Sequence, residues 1–139
     1  MIVDGCGMIA GRLATKIAKL IITGESVTVV NAESIVMTGN KVNIMENFKQ
    51  RVDARVLSNP LYGPKYSRIP SKIFRRSVKG MLPDKNRTTE RIIKRLTVYN
   101  SVPKELATQK MEVFEEFRDS ERHKSMTLKE IAELLGGKW

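Results

Sequence analysis

The chain has 139 residues, 41% of them hydrophobic, which suits a modest core and argues against a disordered polypeptide. Twenty-five Lys and Arg stand against fifteen Asp and Glu, a formal charge of +10, so the expected partner is anionic: a nucleic acid, an acidic membrane surface or an acidic protein. One cysteine rules out an intrachain disulfide, and one cysteine with one histidine cannot build a common zinc site.

Ile2, Val3 and Asp4 read as a short strand, followed by a glycine turn at Gly5 and Gly7. Ile9, Leu13, Ile17 and Leu20 fall at helical spacing, which predicts a helix over 9–23 stopped by Gly24. The β-branched run from Val27 to Asn31 predicts a buried parallel strand, and the opening is therefore a βαβ unit. A further short strand is expected over 34–37 and a helix over 41–55, with Met45, Phe48 and Val52 inward. Pro60, Gly63 and Pro64 make 58–68 a loop. A short helix over 71–79 ends at Gly80, and another is expected over 88–96, followed by a strand at 97–99. Residues 103–121 give no clear pattern. Thr127 and Glu130 form a capping box for a C-terminal helix over 127–135, closed by Gly136. Strands alternating with helices, without an internal repeat, indicate one α/β domain over 1–139. No segment reaches the ~18 apolar residues of a membrane span. Residues 1–7 lack the pattern of a signal peptide, so the expected location is the cytoplasm.

The charge is concentrated. Residues 1–48 carry four basic and four acidic side chains, and residues 96–139 carry seven and eight. Residues 49–95 carry fourteen basic against three acidic, a net of +11. The anion-facing region is thus expected between about 49 and 95. Within it, Lys72, Arg75, Arg76 and Lys79 lie at i, i+3, i+4 and i+7, which places them on one helical face, with Ile73, Phe74, Ser77 and Val78 on the other. Like charges so close repel unless a polyanion neutralises them. Arg91, Lys94 and Arg95 repeat the device, tempered by Glu90. The loops add Lys65, Arg68, Lys85 and Arg87, with Tyr62 and Tyr66 able either to stack on bases or to pack internally.

A second feature is Gly5-Cys6-Gly7-Met8-Ile9-Ala10-Gly11, a GxGxxxG between a strand and a helix. It admits two readings. One is a phosphate site at a helix N-terminus, making the chain a nucleotide-binding enzyme. The other is a glycine turn with close helix–strand packing. The acidic residue that should end the second strand is displaced to Glu33. Cys6 and His123 are far apart in sequence and form no evident catalytic pair, and no cluster of residues calls for a metal or cofactor.

Gly11-Arg12-Leu13-Ala14-Thr15, Val29-Val30-Asn31-Ala32-Glu33, Thr38-Gly39-Asn40-Lys41, Val78-Lys79-Gly80-Met81-Leu82-Pro83 and Leu96-Thr97-Val98-Tyr99, in this order, resemble the universal large-subunit ribosomal protein family conventionally numbered L-thirteen. Pro70-Ser71-Lys72-Ile73-Phe74 resembles its archaeal and eukaryotic branch, and the short length points to an archaeal member. The resemblance implies a three-layer α/β/α fold with a small, mostly parallel central sheet of about four strands. It implies a non-enzymatic protein that needs no cofactor and no small-molecule substrate. Such a protein binds large-subunit ribosomal RNA beside neighbouring large-subunit ribosomal proteins and joins assembly early. Matching motif positions carry RNA contact onto Arg12, Lys41, Lys72, Arg75, Arg76, Lys79 and Lys85. Lys65, Arg68, Arg87 and Arg91 extend that set from the charge pattern. Members often carry an Arg-Gly pair after Lys85; this chain has Arg87-Thr88, which does not support a close backbone approach there. Residues 105–124 match the family poorly and receive no role.

Overall fold

The computed structural model describes the whole chain apart from residues 60, 84–85 and 121–123 and the side chains of 86 and 87. β1 (Ile2–Asp4) and β2 (Val27–Val30) pair in parallel, with Val3 opposite Val29, and α1 (Ala10–Thr23) crosses between them. α1 forms because its apolar residues recur along one stripe. Leu13, Ala14, Ile17, Ala18 and Ile21 are all buried, and Gly24, at φ 111°, ends the helix by donating its N–H to the Ile21 and Leu20 carbonyls. β4 (Leu96–Val98) flanks β2 on the other side, giving a three-stranded parallel sheet in the order β1-β2-β4. Consecutive Val29 and Val30 are both fully buried, so both faces of the central strand are covered, as a parallel sheet requires.

β3 (Val36–Thr38) pairs instead with β5 (Ser125–Thr127), antiparallel, in a separate two-stranded ribbon. β3 starts two residues later than expected because a 3-10 turn over Ala32–Ser34, entered through left-handed Asn31 at φ 56°, precedes it. Asn31 holds this turn down through its amide, which donates to Asp4 Oδ1 at 2.8 Å. α2 (Lys41–Asp53) is capped by Asn40, whose side chain accepts the Val42 N–H, and ends at Asp53 rather than 55. It lies on the surface, with Ile44 its one buried residue. α3 (Pro70–Lys79) opens on Pro70, where the missing N–H costs nothing, and buries Ile73, Phe74 and Val78. Ser77, expected inward, is exposed and donates back to the Ile73 carbonyl.

α4 (Asn86–Ile93) begins and ends earlier than the spacing predicts. Lys94 and Arg95 form a turn, and Leu96 opens β4. α5 (Leu128–Leu134) is capped by Thr127, whose hydroxyl accepts the Glu130 N–H at 3.2 Å. The unpatterned stretch before it has a definite place. Asp4 N–H donates to the Glu112 carbonyl at 3.0 Å and Glu112 N–H to Ile2 at 2.9 Å. The segment therefore runs along the open edge of β1, isolated pairings rather than a regular strand completing the sheet. Apolar residues of α1, the sheet, α3, α4 and α5 join one buried cluster, with Phe74 its largest fully buried side chain.

Candidate nucleic-acid interface

α3 turns its apolar stripe inward, so its cations must face out. Lys72, Arg75, Arg76 and Lys79 are all exposed and line a cleft of about 1250 Å³ together with Lys65 from the preceding loop and Arg51 from α2. Among the described residues, none that lines this cleft is acidic. Among the described residues the ion pairs are Lys41–Glu130 and Arg118–Glu115, neither of which involves a cleft cation. Six positive side chains thus share a concave surface with no carboxylate among its described lining residues.

Two of the six are held by the protein itself. Arg75 Nη2 donates to the Ile93 carbonyl at 3.2 Å, the C-terminal end of α4, where the helix dipole favours a cation. Arg76 Nη1 donates to the Lys65 carbonyl at 3.2 Å, and its guanidinium lies 3.7 Å from the Tyr66 ring centroid. That contact decides between the two roles open to Tyr66: it packs under Arg76. The guanidinium keeps donors beyond the one it spends on Lys65, in a fixed plane suited to phosphate. Tyr62, in contrast, is 70% exposed and lies outside the cleft. Lys72 and Lys79 supply exposed charges on either side of the two anchored arginines.

The structure brings Lys65, Lys72, Arg75, Arg76 and Lys79 together and leaves others apart. Arg12 is exposed on α1 and does not line the cleft. Lys41, at the start of α2, lies 3.9 Å from Glu130 in a different groove. Arg68 is exposed beside the C-terminal glycines, its guanidinium near Gly136. Arg91 is exposed on α4 outside the cleft. Lys85 lies outside the described residues, as does the side chain of Arg87. The proposed second cationic face does not form: the helix stops at Ile93, and Arg95 turns back to donate to the Ile21 carbonyl at 3.1 Å, tying down the end of α1. Arg51 is the cleft cation that sequence reasoning left unnamed. Its signal was the basic window together with Phe48 three residues earlier, whose ring it covers at 5.8 Å.

The glycine turn before α1 is differently employed. Cys6 N–H donates to Asp4 Oδ1 at 3.0 Å. The N–H groups of Gly7, Met8 and Ile9 donate to the carbonyls of Ser34, Gly5 and Phe117. The amides of the turn itself, from Cys6 to Ile9, are thus already hydrogen-bonded within the protein. A Cβ at Gly5 would stand 2.8 Å from Ile35 Cγ1 and 3.0 Å from the Val30 carbonyl, so this glycine serves close packing. Gly7 supplies the turn at φ 68°.

A sequence model of the family described as Ribosomal protein L13 matches residues 1–105. The chain belongs to that family. A large ribosomal subunit protein uL13 from Methanosphaera stadtmanae is 42% identical over 139 residues, covering 99% of this chain and 98% of that protein. Those from Archaeoglobus fulgidus and Methanocaldococcus jannaschii are 38% and 35% identical, covering 97% and 99% of this chain and 86% and 98% of theirs. The L13 assignment makes the chain a structural ribosomal protein of archaeal type and not an enzyme, which sets aside the nucleotide-enzyme reading of the glycine turn. All five of the cations brought together from the predicted set lie within the L13 match.

Proposed function

We propose that this L13-family chain binds large-subunit ribosomal RNA through the α3 cleft and enters the subunit early in assembly. It folds as one domain and acts in the cytoplasm, inside the large subunit, without a cofactor. The observation that carries the reading is the cleft itself: six cations and no carboxylate among its described lining residues. From Lys72 to Lys79 the helix advances about 10 Å at 1.5 Å per residue, the scale of a few successive backbone phosphates. Contacts of this kind position a protein on RNA and give affinity more than sequence readout.

Lys65, Lys72, Arg75, Arg76, Lys79 and Arg51 form the centre of the interface. Arg12, Arg68, Lys85, Arg87 and Arg91 are peripheral contacts that an RNA wrapping beyond the cleft would meet. Lys41 belongs to the same outer set and lines a separate groove, 3.9 Å from Glu130. Titration of the full chain against large-subunit RNA tests the reading. Binding should be tight at low salt and weaken steeply as salt rises; a salt-independent or absent association overturns it.

A further inference from the structure

α2 has two working sides. Phe48 and Arg51 face the cleft, whereas Val42 and Met45 line a separate groove of about 650 Å³ shared with Met126, Glu130, Glu133 and Leu134 near and on α5. Val42 is 69% exposed and Leu134 65% exposed, although both line this groove. Met126, 4% exposed, forms part of the floor. The groove is thus an apolar trough open to water.

Its charge runs against the rest of the molecule. The charged groups lining it are Lys41, Glu130 and Glu133. Lys41 already faces Glu130 at 3.9 Å, and Glu133 is in neither ion pair among the described residues. A chain of formal charge +10 therefore has a groove whose described lining residues are net negative. RNA complements it poorly: the carboxylates repel phosphates, and no described lining residue is an aromatic ring on which a base could stack. An apolar trough with an acidic rim matches a protein segment that carries apolar side chains flanked by Lys or Arg.

We propose that this groove, separate from the RNA-facing cleft, seats a cationic, apolar-anchored segment of a neighbouring large-subunit protein. This inference rests on the ribosomal RNA-binding reading given above. It is tested with the full chain incorporated into large subunits, carrying the photocrosslinker p-benzoylphenylalanine in place of exposed Val42 and, in a second preparation, in place of Ser77 in the cleft. Irradiation and mass spectrometry of high-salt-washed subunits should join position 42 to a ribosomal protein peptide with Lys or Arg within a few residues, and position 77 to RNA. Glu130→Lys with Glu133→Lys should lower the yield at position 42 at least about fivefold while the chain stays in washed subunits; Glu133→Gln alone should give a smaller loss. Crosslinking of position 42 to RNA or to a second copy of this chain overturns the proposal. So does an uncoupled position 42 in subunits where position 77 captures RNA, or a yield indifferent to charge reversal. A chain absent from washed subunits, or one that captures no RNA at position 77, overturns the RNA-binding reading and the groove with it.

Discussion

The sharpest test of the cleft removes its two unanchored charges. Lys72 and Lys79 are exposed, and neither is in an ion pair among the described residues. Replacing both by Gln therefore removes charge without stripping a structural hydrogen bond. Each lost phosphate contact flattens the dependence of log K on log salt by about 0.7–0.9. Two contacts flatten it by about 1.4–1.8, which at ~0.1 M salt corresponds to roughly 25- to 60-fold weaker binding. Stability should hold or rise slightly, since relieving like-charge neighbours at i, i+3 and i+4 is worth about 0.2–0.5 kcal/mol per pair. Fluorescence anisotropy with a labelled large-subunit RNA fragment, repeated across a salt series, reads the slope directly. Circular dichroism melting of the same sample supplies the stability. A double variant with unchanged slope and affinity would show that α3 does not meet phosphates, however positive its face.

Tyr66→Ala removes the ring beneath Arg76 without removing charge. A cation–π contact at an exposed site contributes about 0.5–1 kcal/mol, so affinity should fall about two- to fivefold with an unchanged salt slope in the same titration. Phe74→Ala deletes the largest fully buried side chain and should cost about 3–5 kcal/mol, a large share of a typical domain's stability; urea unfolding would show the midpoint falling. Gly137→Ala places a Cβ 2.3 Å from the Arg68 carbonyl and 3.0 Å from that of Ala132, so the backbone must shift and the melting temperature should drop. Gly11→Ala meets nothing within 4 Å at a helical position and should raise stability by up to about 1 kcal/mol, with RNA affinity unaltered.

The parts of the fold that were legible in sequence share one property: their pattern is local. α1 and α3 show their buried stripes in helical spacing, and the cationic face of α3 follows from the same spacing. What stayed hidden depends on distant partners. The edge formed by residues near Glu112 is held by backbone pairing with Ile2 and Asp4, which leaves no side-chain periodicity to read. β5 is short and pairs with β3 across more than eighty residues, so nothing local marked it, and its last residue, Thr127, read only as a helix cap. Arg95 fitted a helical face by spacing, yet the Ile21 carbonyl claims it. The two grooves flanking α2 were also out of reach, because sequence shows which side chains share a helix and not which neighbours complete each side.

The glycine turn explains how a scaffold with the outline of a nucleotide site can be committed to another use. A phosphate at a helix N-terminus needs vacant N–H groups there. In this chain the edge segment that closes β1 also spans the turn: the Phe117 carbonyl accepts the Ile9 N–H at 2.8 Å, and Asp119 N–H returns to the Gly7 carbonyl at 2.9 Å. The same stretch that covers an open sheet edge therefore consumes a donor that an anion would require. Asp4 reinforces this, because its carboxylate accepts from Cys6 N–H and from Asn31, placing negative charge beside the turn. The occupied turn amides and the Asp4 carboxylate weaken the case for an anion beside the glycine motif. On the proposed reading anion affinity comes from the cations on the face of α3 rather than from backbone amides. That reading divides the fold by hydrogen bonding and charge placement, with the βαβ unit as scaffold and the basic helix as the proposed contact.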